Sequence, residues 1–209
     1  MCGITGFYSK SSSTFNNAIL KMTSAISHRG PDSSSTWQDQ SSGIVFGHQR
    51  LSILDLSTAG NQPMVSNSGR FIITYNGEIY NHLQIRQELK RINVNTKWKS
   101  NTDTETLLEA LEFWGIEKTL KKSIGMFAFS LWDKKNRTLY LARDRMGEKP
   151  LYFGWQGKGV NKVFIFGSEL KALKAHPEFN REINRDAITL QLRHNYIPDP
   201  YSIYKDIHK

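Results

Sequence analysis

The single cysteine of this 209-residue chain is its second residue, and that position suggests nucleophilic chemistry. Cys2 follows the initiator Met1 and precedes Gly3. A small residue after Met1 permits its removal, which would leave one residue carrying both a thiol and a free α-amine. An α-amine has a pKa of about 7.7 to 8.0, so near neutral pH part of it is unprotonated and can accept the thiol proton. The alternative is that Cys2 is a small apolar residue of a buried strand.

A nucleophile of this kind needs hydrogen-bond donors where negative charge develops on the attacked carbonyl oxygen. Asn76 and Gly77 follow an apolar run and offer such donors: Asn76 has a side-chain amide, and Gly77 has no side chain to keep its N–H away from a ligand. The same Asn-Gly pair is also a common signal for a hairpin turn. A helical pattern follows it instead of a returning strand.

Three further positions are candidates for binding. Arg50 lies between two apolar runs, and its planar guanidinium would suit a carboxylate, although a surface arginine at a strand edge is the ordinary alternative. Asp103 would hold an ammonium group, or it would simply favour the first turn of its helix through the helix dipole. His28–Asp32 contains Gly30-Pro31, which fixes a loop after the first helix and could be no more than a helix stop.

The elements that must position these residues are visible as two kinds of periodicity. Runs rich in β-branched and aromatic residues predict seven strands, of which the fourth and fifth flank a polar turn and form a hairpin. The predicted strands are Ile4–Tyr8, Ile44–His48, Phe71–Tyr75, Met126–Trp132, Thr138–Ala142, Leu151–Gly154 and Val163–Phe166. The Ser-rich stretches Ser11–Ser13 and Ser33–Ser35 are interpreted as loops.

Apolar residues at spacings of three and four predict helices between these strands. One helix covers Phe15 to Ile26, and another contains Leu107 to Trp114 and opens on a capping box in which Thr102 caps and Glu105 reaches back. Shorter helices are predicted at His82–Lys90, Glu169–Lys174 and Asp186–Arg193. Antiparallel strands punctuated by helices, without regular alternation, indicate an α+β domain with helices packed on sheets.

Composition excludes several classes of protein. A hydrophobic content of 38% fits a globular domain, a lone cysteine cannot form an intramolecular disulfide, and no apolar segment approaches membrane-spanning length, so we expect a cytoplasmic protein without membrane association. The 28 basic and 19 acidic residues give a net charge of +9. Because these charges are dispersed and accompany no nucleic-acid-binding module, we interpret them as a solvated surface and expect no nucleic-acid partner.

Five motifs, in this order along the chain, resemble the class II glutamine amidotransferase domain, and most closely the N-terminal half of glutamine-hydrolysing asparagine synthetases. They are Cys2-Gly3-Ile4-Thr5-Gly6, His28-Arg29-Gly30-Pro31-Asp32, Arg50-Leu51-Ser52-Ile53, Asn76-Gly77-Glu78-Ile79-Tyr80-Asn81 and Asp144-Arg145-Met146-Gly147-Glu148-Lys149-Pro150-Leu151-Tyr152. The resemblance implies the N-terminal nucleophile hydrolase fold, a four-layer αββα sandwich of two antiparallel sheets between helical layers. It covers nearly the whole chain.

The resemblance also implies roles for individual residues. Cys2 would attack the side-chain amide of L-glutamine, while Asn76 and the N–H of Gly77 hold the oxyanion. Arg50 would bind the α-carboxylate, Asp103 and Glu78 the α-ammonium, and backbone groups of Leu51 and Ile53 would line the pocket. The His28–Asp32 loop would help to cover the site, and no metal or cofactor is expected for this half-reaction. Asp144–Tyr152 would be structural, with a local Asp144–Arg145 ion pair.

The same resemblance predicts how the chain is divided and what it acts with. Residues 1–192 would be the glutaminase domain, and residues 193–209 would begin a linker into a synthetase domain that is absent from this sequence. ATP and Mg²⁺ would be needed only in that domain, which, as a domain or separate subunit, would accept the ammonia; a homodimer is also possible. The alternative from another class is a non-catalytic interaction module that retains the fold.

Overall fold

The computed structural model describes residues 1–10, 15–92 and 96–209 of the chain, and its centre is a pair of antiparallel sheets. The first sheet has five strands in the order β2-β3-β1-β9-β8. Its strands are β1 (Gly3–Ser9), β2 (Ser33–Asp39), β3 (Ile44–Arg50), β8 (Tyr152–Gln156) and β9 (Val163–Gly167). Because β1 is the central strand, the residue before it is held between neighbours on both sides.

The second sheet has four strands in the order β4-β5-β6-β7. They are β4 (Met64–Val65), β5 (Phe71–Ile79), β6 (Gly125–Asp133) and β7 (Thr138–Arg143). The long pair β5 and β6 is in register from Phe71 opposite Asp133 to Ile79 opposite Gly125. This continuous ladder carries the Asn76-Gly77 pair inside a strand, and the hairpin-turn interpretation of that pair is therefore wrong.

The two sheets face each other across an apolar layer, and helices cover their outer faces. Side chains alternate between the faces of each strand. From the first sheet Phe46 and Phe166 meet Ile72 and Trp132 of the second sheet. The helices are α1 (Phe15–Ser24), α2 (His82–Ile92), α3 (Asp103–Trp114), α4 (Ile116–Lys122), α5 (Leu170–Lys174) and α6 (Arg185–His194). Helices α1 and α5 pack on the first sheet and α3 on the second, which confirms the αββα layering.

All seven predicted strands are present, and each is equal to or longer than its apolar run except at Leu151, where the strand begins one residue later. Two strands were missed. The loop predicted at Ser33–Ser35 is wrong, because these serines begin β2 and pair with β3 from Ser33 opposite Arg50. A serine-rich edge strand takes its conformation from its neighbour instead of its own propensity. The stretch Ser11–Ser13 lies outside the described residues.

The predicted helices are present with shifted ends, and α4 was missed. Helix α3 begins as expected, since the Thr102 side chain accepts the N–H of Glu105 at 3.2 Å. The reciprocal bond of a capping box is not made, however. The Glu105 carboxylate instead accepts the N–H groups of Lys99 and Ser100, both at 2.8 Å, and so ties down the segment before the helix. No helix among the described residues is long and apolar enough to cross a bilayer.

The segment beyond residue 192 folds back on the first sheet. Helix α6 extends to His194, Phe153 of β8 pairs with His208, and Ile207 is buried in the core beneath α1 and α5. The carbonyl of Asp206 lies where a Cβ on Gly154 would be, which explains why residue 154 is glycine. The division at residue 192 stays a prediction.

Two buried histidines are neutral in the folded chain. His48 lies between the sheets, and His176 packs edge-on against Phe7 with ring centroids 4.8 Å apart. Burial lowers the pKa of each imidazole from 6.5 to about 4. In the unfolded chain both would be protonated as the pH falls below 6.5, whereas in the folded chain they stay neutral down to about pH 4.

We therefore expect the free energy of unfolding to fall between pH 6.5 and pH 4.5, by up to about 1.4 kcal/mol per pH unit for each histidine. Urea unfolding at a series of pH values measures this slope. His176→Leu should reduce it, and the exposed control His194→Asn should leave it unchanged. An unchanged slope in His176→Leu would contradict this assignment.

Candidate active site

Cys2 lies at the start of β1, at one end of the layer between the sheets, and is half-buried. Its Sγ accepts the N–H of Leu51 at 3.4 Å and lies 3.6 Å from the carbonyl oxygen of the same residue. The Nε of Arg29 donates to the Cys2 carbonyl at 2.9 Å. The nucleophile candidate is therefore held by two segments far from it in sequence.

The His28–Asp32 loop supports the strand ends at the site. The Asp32 carboxylate accepts the N–H of Ser52 at 2.7 Å, and the Asp32 N–H donates to the Arg50 carbonyl at 3.1 Å. A Cβ on Gly30 would lie 2.4 Å from the Gln49 backbone, so only glycine allows this approach. None of residues 28–32, all of which the structure describes, lines the pocket next to Cys2. The loop instead fixes the ends of the strands that border it.

Asn76 and Gly77 lie near the end of β5, across the sheet interface from Cys2. Asn76 is buried, and its Nδ2 has no hydrogen-bond partner among the described residues. A Cβ on Gly77 would lie 2.3 Å from the carbonyl oxygen of Met126 in β6. Close packing of β5 against β6 therefore requires glycine at position 77. From the sequence we had expected glycine there for a different reason, open access to its N–H.

Arg50, the last residue of β3, is buried and donates to the loop that follows it. Its Nη1 donates to the Ser57 carbonyl and to Asn61 Oδ1, both at 2.8 Å, and its Nη2 donates to the Asp55 carbonyl. A guanidinium has five N–H donors, and these bonds use three of them. No hydrogen bond from the described residues uses the Nε–H or the second Nη2–H, and an Nε–H with an Nη2–H can bind a carboxylate through two parallel hydrogen bonds.

Asp103 is buried at the first turn of α3 and faces β5. Its Oδ2 accepts the Tyr75 hydroxyl at 2.7 Å and the Ile79 N–H at 2.9 Å. Burial, together with the neighbouring Asp103 charge, holds the pKa of Tyr75 well above its usual range, so the hydroxyl remains a donor. No hydrogen bond from the described residues reaches Oδ1, which leaves one carboxylate oxygen for a ligand.

One pocket collects all eight predicted site residues. It contains Cys2, a guanidinium, a carboxylate and amide donors from both sheets. Its lining includes Cys2, Arg50, Leu51, Ile53, Asn76, Gly77, Glu78 and Asp103. One pocket therefore combines a thiol, amide donors and charges of both signs, as an amino acid bound at both ends would require.

Among the pocket residues that sequence reasoning missed are Gln62 and Lys149. Gln62 Oε1 accepts the Tyr75 N–H at 2.6 Å, and its Nε2 donates to Thr104 at 3.3 Å. Lys149 is buried, with its Nζ 2.8 Å from Met1 Sδ. No sequence signal marked Gln62, a polar residue of a loop, whereas Lys149 belongs to a motif that we had interpreted as structural.

The expected Asp144–Arg145 ion pair is absent from the described residues, and this expectation was wrong. Asp144 instead accepts four backbone N–H groups, from Phe127, Met146, Glu148 and Lys149. Although burial opposes it, these bonds lower the pKa of the carboxyl group. Because adjacent residues of a turn point apart, Arg145 is exposed, while the turn itself carries Lys149 into the pocket.

The Cys2 thiol is not activated by its surroundings alone. Burial raises its pKa above the ordinary value, against the opposing effects of the Leu51 N–H, the chain terminus and Arg50. In this structure Met1 occupies the end of the chain and is exposed, so the nitrogen of Cys2 is an amide nitrogen. A free α-amine on Cys2 would appear only when Met1 is removed.

The chain matches the family model described as "Glutamine amidotransferase domain" over residues 1–209. It is 39% identical to a protein named putative asparagine synthetase [glutamine-hydrolyzing] 2 of Methanocaldococcus jannaschii, with 100% of this chain and 42% of that protein aligned. It is 36% identical to asparagine synthetase [glutamine-hydrolyzing] 3 of Bacillus subtilis over 90% of this chain and 30% of that protein. The chain thus spans less than half the length of these relatives.

A solved structure has the same fold. It is the glutamine phosphoribosylpyrophosphate amidotransferase of B. subtilis, which superposes with a TM-score of 0.66 at 20% identity over 83% of this chain and 43% of that chain. At this identity the likeness concerns the fold alone.

We expect the thiol of the chain that retains Met1 to react slowly with iodoacetamide at neutral pH. Its rate should rise with an apparent pKa above about 8.5, the value of a free cysteine, because burial disfavours the thiolate. Since Cys2 is the only cysteine, mass spectrometry of the alkylated protein gives the rate directly. An apparent pKa below 8 in this form would contradict the expectation.

Proposed function

Because the chain belongs to the glutamine amidotransferase domain family, we propose that it hydrolyses the side-chain amide of L-glutamine to L-glutamate and ammonia through a thioester on Cys2. The observation that carries this proposal is the shared pocket of Cys2, Arg50, Asn76 and Asp103. These four residues come from both sheets and from a helix, and together they offer a thiol, an amide donor, a guanidinium and a carboxylate.

In this proposal the pocket recognises glutamine at its constant end through charge. The two unused N–H groups of Arg50 bind the α-carboxylate. Asp103 Oδ1 accepts the α-ammonium, and Glu78, half-buried on β5, adds a second carboxylate. Backbone groups of Leu51 and Ile53 complete the lining. Binding at this end places the side-chain amide towards Cys2.

The thiolate then attacks the amide carbon, and the carbonyl oxygen gains negative charge. Asn76 Nδ2 and the Gly77 N–H donate to this oxygen, and each such donor contributes about 2.7 to 4 kcal/mol in comparable sites. The α-amine of Cys2, free once Met1 is removed, passes the thiol proton to the departing nitrogen. The C–N bond breaks, ammonia leaves, and water then hydrolyses the thioester to glutamate and the thiol.

The names of the relatives extend the proposal to an acceptor. The two relatives described above, at 39% and 36% identity, are both named as glutamine-hydrolysing asparagine synthetases. We propose that ammonia from this pocket serves a synthetase site in a further domain or subunit, where ATP and Mg²⁺ activate the acceptor. The glutaminase half-reaction itself uses no metal or cofactor in this proposal.

We expect the protein with Met1 removed to form glutamate and ammonia from glutamine without ATP. Cys2→Ala should lower kcat to background, because it removes the nucleophile while leaving the fold intact. Coupled detection of glutamate measures the rate, and hydroxylamine trapping detects the acyl-enzyme.

The same preparation before and after treatment with methionine aminopeptidase provides the control, and intact-mass measurement reports the state of Met1. Activity should appear in proportion to the processed fraction. Full activity of Cys2→Ala would refute the mechanism, and a processed wild-type chain that neither binds nor hydrolyses glutamine would favour a non-catalytic module.

Arg50→Lys should raise KM for glutamine about 10- to 100-fold with a smaller change in kcat. Lysine keeps the charge but cannot supply two parallel N–H donors to a carboxylate, and a contact to the substrate's constant end stabilises the ground and transition states alike. Arg137→Lys, an exposed position on the β6–β7 turn, is the matched control and should leave KM unchanged. A KM unaffected by Arg50→Lys would exclude this role.

A further inference from the structure

His48 forms a hydrogen bond that joins the two sheets directly behind the pocket. It belongs to β3, two residues before Arg50, so both side chains lie on the same face of the strand. Its Nε2 lies 3.1 Å from the carbonyl oxygen of Tyr75 in β5. A carbonyl oxygen accepts only, so Nε2 carries the proton, as a neutral imidazole allows.

The peptide group that His48 holds is the one immediately before Asn76. The N–H of Tyr75 is held by Gln62 Oε1 at 2.6 Å, and its hydroxyl by Asp103 at 2.7 Å. Asn76 Nδ2, in contrast, has no partner among the described residues. The direction of the Asn76 amide therefore depends on its backbone and packing, and His48 fixes that backbone relative to β3.

A buried histidine is a poor choice for stability at this position. His48 has 0% relative exposure, and its Nδ1 has no partner within the described part of the chain. The hydroxyls of Thr74 and Ser130, opposite each other in β5 and β6, are also buried without partners there. Burial of unpaired polar groups costs free energy, and the rest of this layer consists of residues such as Phe46 and Ile72. An apolar residue at position 48 would avoid the unpaired Nδ1, but it would remove the hydrogen bond to the Tyr75 carbonyl.

We infer that His48 is a positioning residue for the oxyanion site: its cross-sheet hydrogen bond to Tyr75 sets the distance between the Cys2–Arg50 side of the pocket and the Asn76–Gly77 side. The inference rests on the proposed glutaminase function. Oxyanion contacts strengthen only in the transition state, so a shift of Asn76 affects kcat more than KM.

The test compares His48→Leu and His48→Gln with wild type, all with Met1 removed. His48→Leu should lower kcat about 10- to 100-fold, the scale expected for a misplaced catalytic group, with KM within about twofold. His48→Gln should recover a large part of kcat, because its amide N–H can donate to the Tyr75 carbonyl. Ser130→Ala, in the same layer, is the control and should retain full kcat.

Wild-type kcat in His48→Leu, or a loss that His48→Gln does not relieve, would overturn the inference while leaving the proposed function intact. A wild-type chain without glutaminase activity would overturn both. Long-range ¹H–¹⁵N NMR of the wild-type imidazole gives a measurement that does not depend on folding of a variant. We expect the Nε2–H tautomer, and an Nδ1–H tautomer would overturn the inference.

Discussion

The candidate site lies between two sheets, so it depends on how these sheets are aligned. In the described part of the chain, no strand ladder joins one sheet to the other. Cys2 and Arg50 come from adjacent strands of the first sheet, whereas Asn76 and Gly77 come from the second. Within a sheet, ladder hydrogen bonds fix the register of these residues; between sheets, only side-chain packing and occasional polar contacts do so. Aromatic residues such as Phe46 and Phe166 set the spacing in the middle of the layer, and His48 and Gln62 act at the end that carries the pocket. The geometry of the pocket is therefore a property of the whole sandwich.

The electrostatics of the pocket determines which group can accept the proton of the Cys2 thiol. Burial raises the pKa of the Cys2 thiol, so the thiol remains protonated and protected from adventitious electrophiles. Neither His48, whose pKa is about 4, nor Tyr75, whose pKa is well above 10, can serve as a base near neutral pH. The α-amine of Cys2, free once Met1 is removed, would have a suitable pKa of about 7.7 to 8.0. This makes processing of Met1 a chemical requirement of the proposed mechanism.

The sequence predicts much of this arrangement because its signals are local. Apolar runs marked seven strands, and the polar turn marked the hairpin of β6 and β7. The missed strand β2 begins with serines and exists through pairing with β3, which no local pattern reports. The site residues were identified by type and by family resemblance, but the sequence did not show what each residue contacts. Gly77 is required by the approach of β6. Asp144, outside the predicted site, binds backbone N–H groups instead of Arg145. Contacts between residues more than 40 positions apart, such as that of Cys2 with Leu51, have no signature in spacing.

The two ends of the pocket are fixed by different kinds of interaction, and this difference matches what each end must do. The proposed oxyanion donors, Asn76 and Gly77, lie inside the β5–β6 ladder, where strand pairing leaves the backbone little freedom. Arg50 is instead held by carbonyls of the loop after β3, in which Ile53 and Leu56 are largely exposed. A transition state needs donors at fixed positions before it forms, because reorganisation would cost part of the stabilisation. Binding of a carboxylate tolerates a less rigidly held guanidinium, since the attraction between the two charges changes slowly with distance. In the proposed mechanism, strand pairing therefore fixes the oxyanion donors, while the loop after β3 fixes the guanidinium of Arg50.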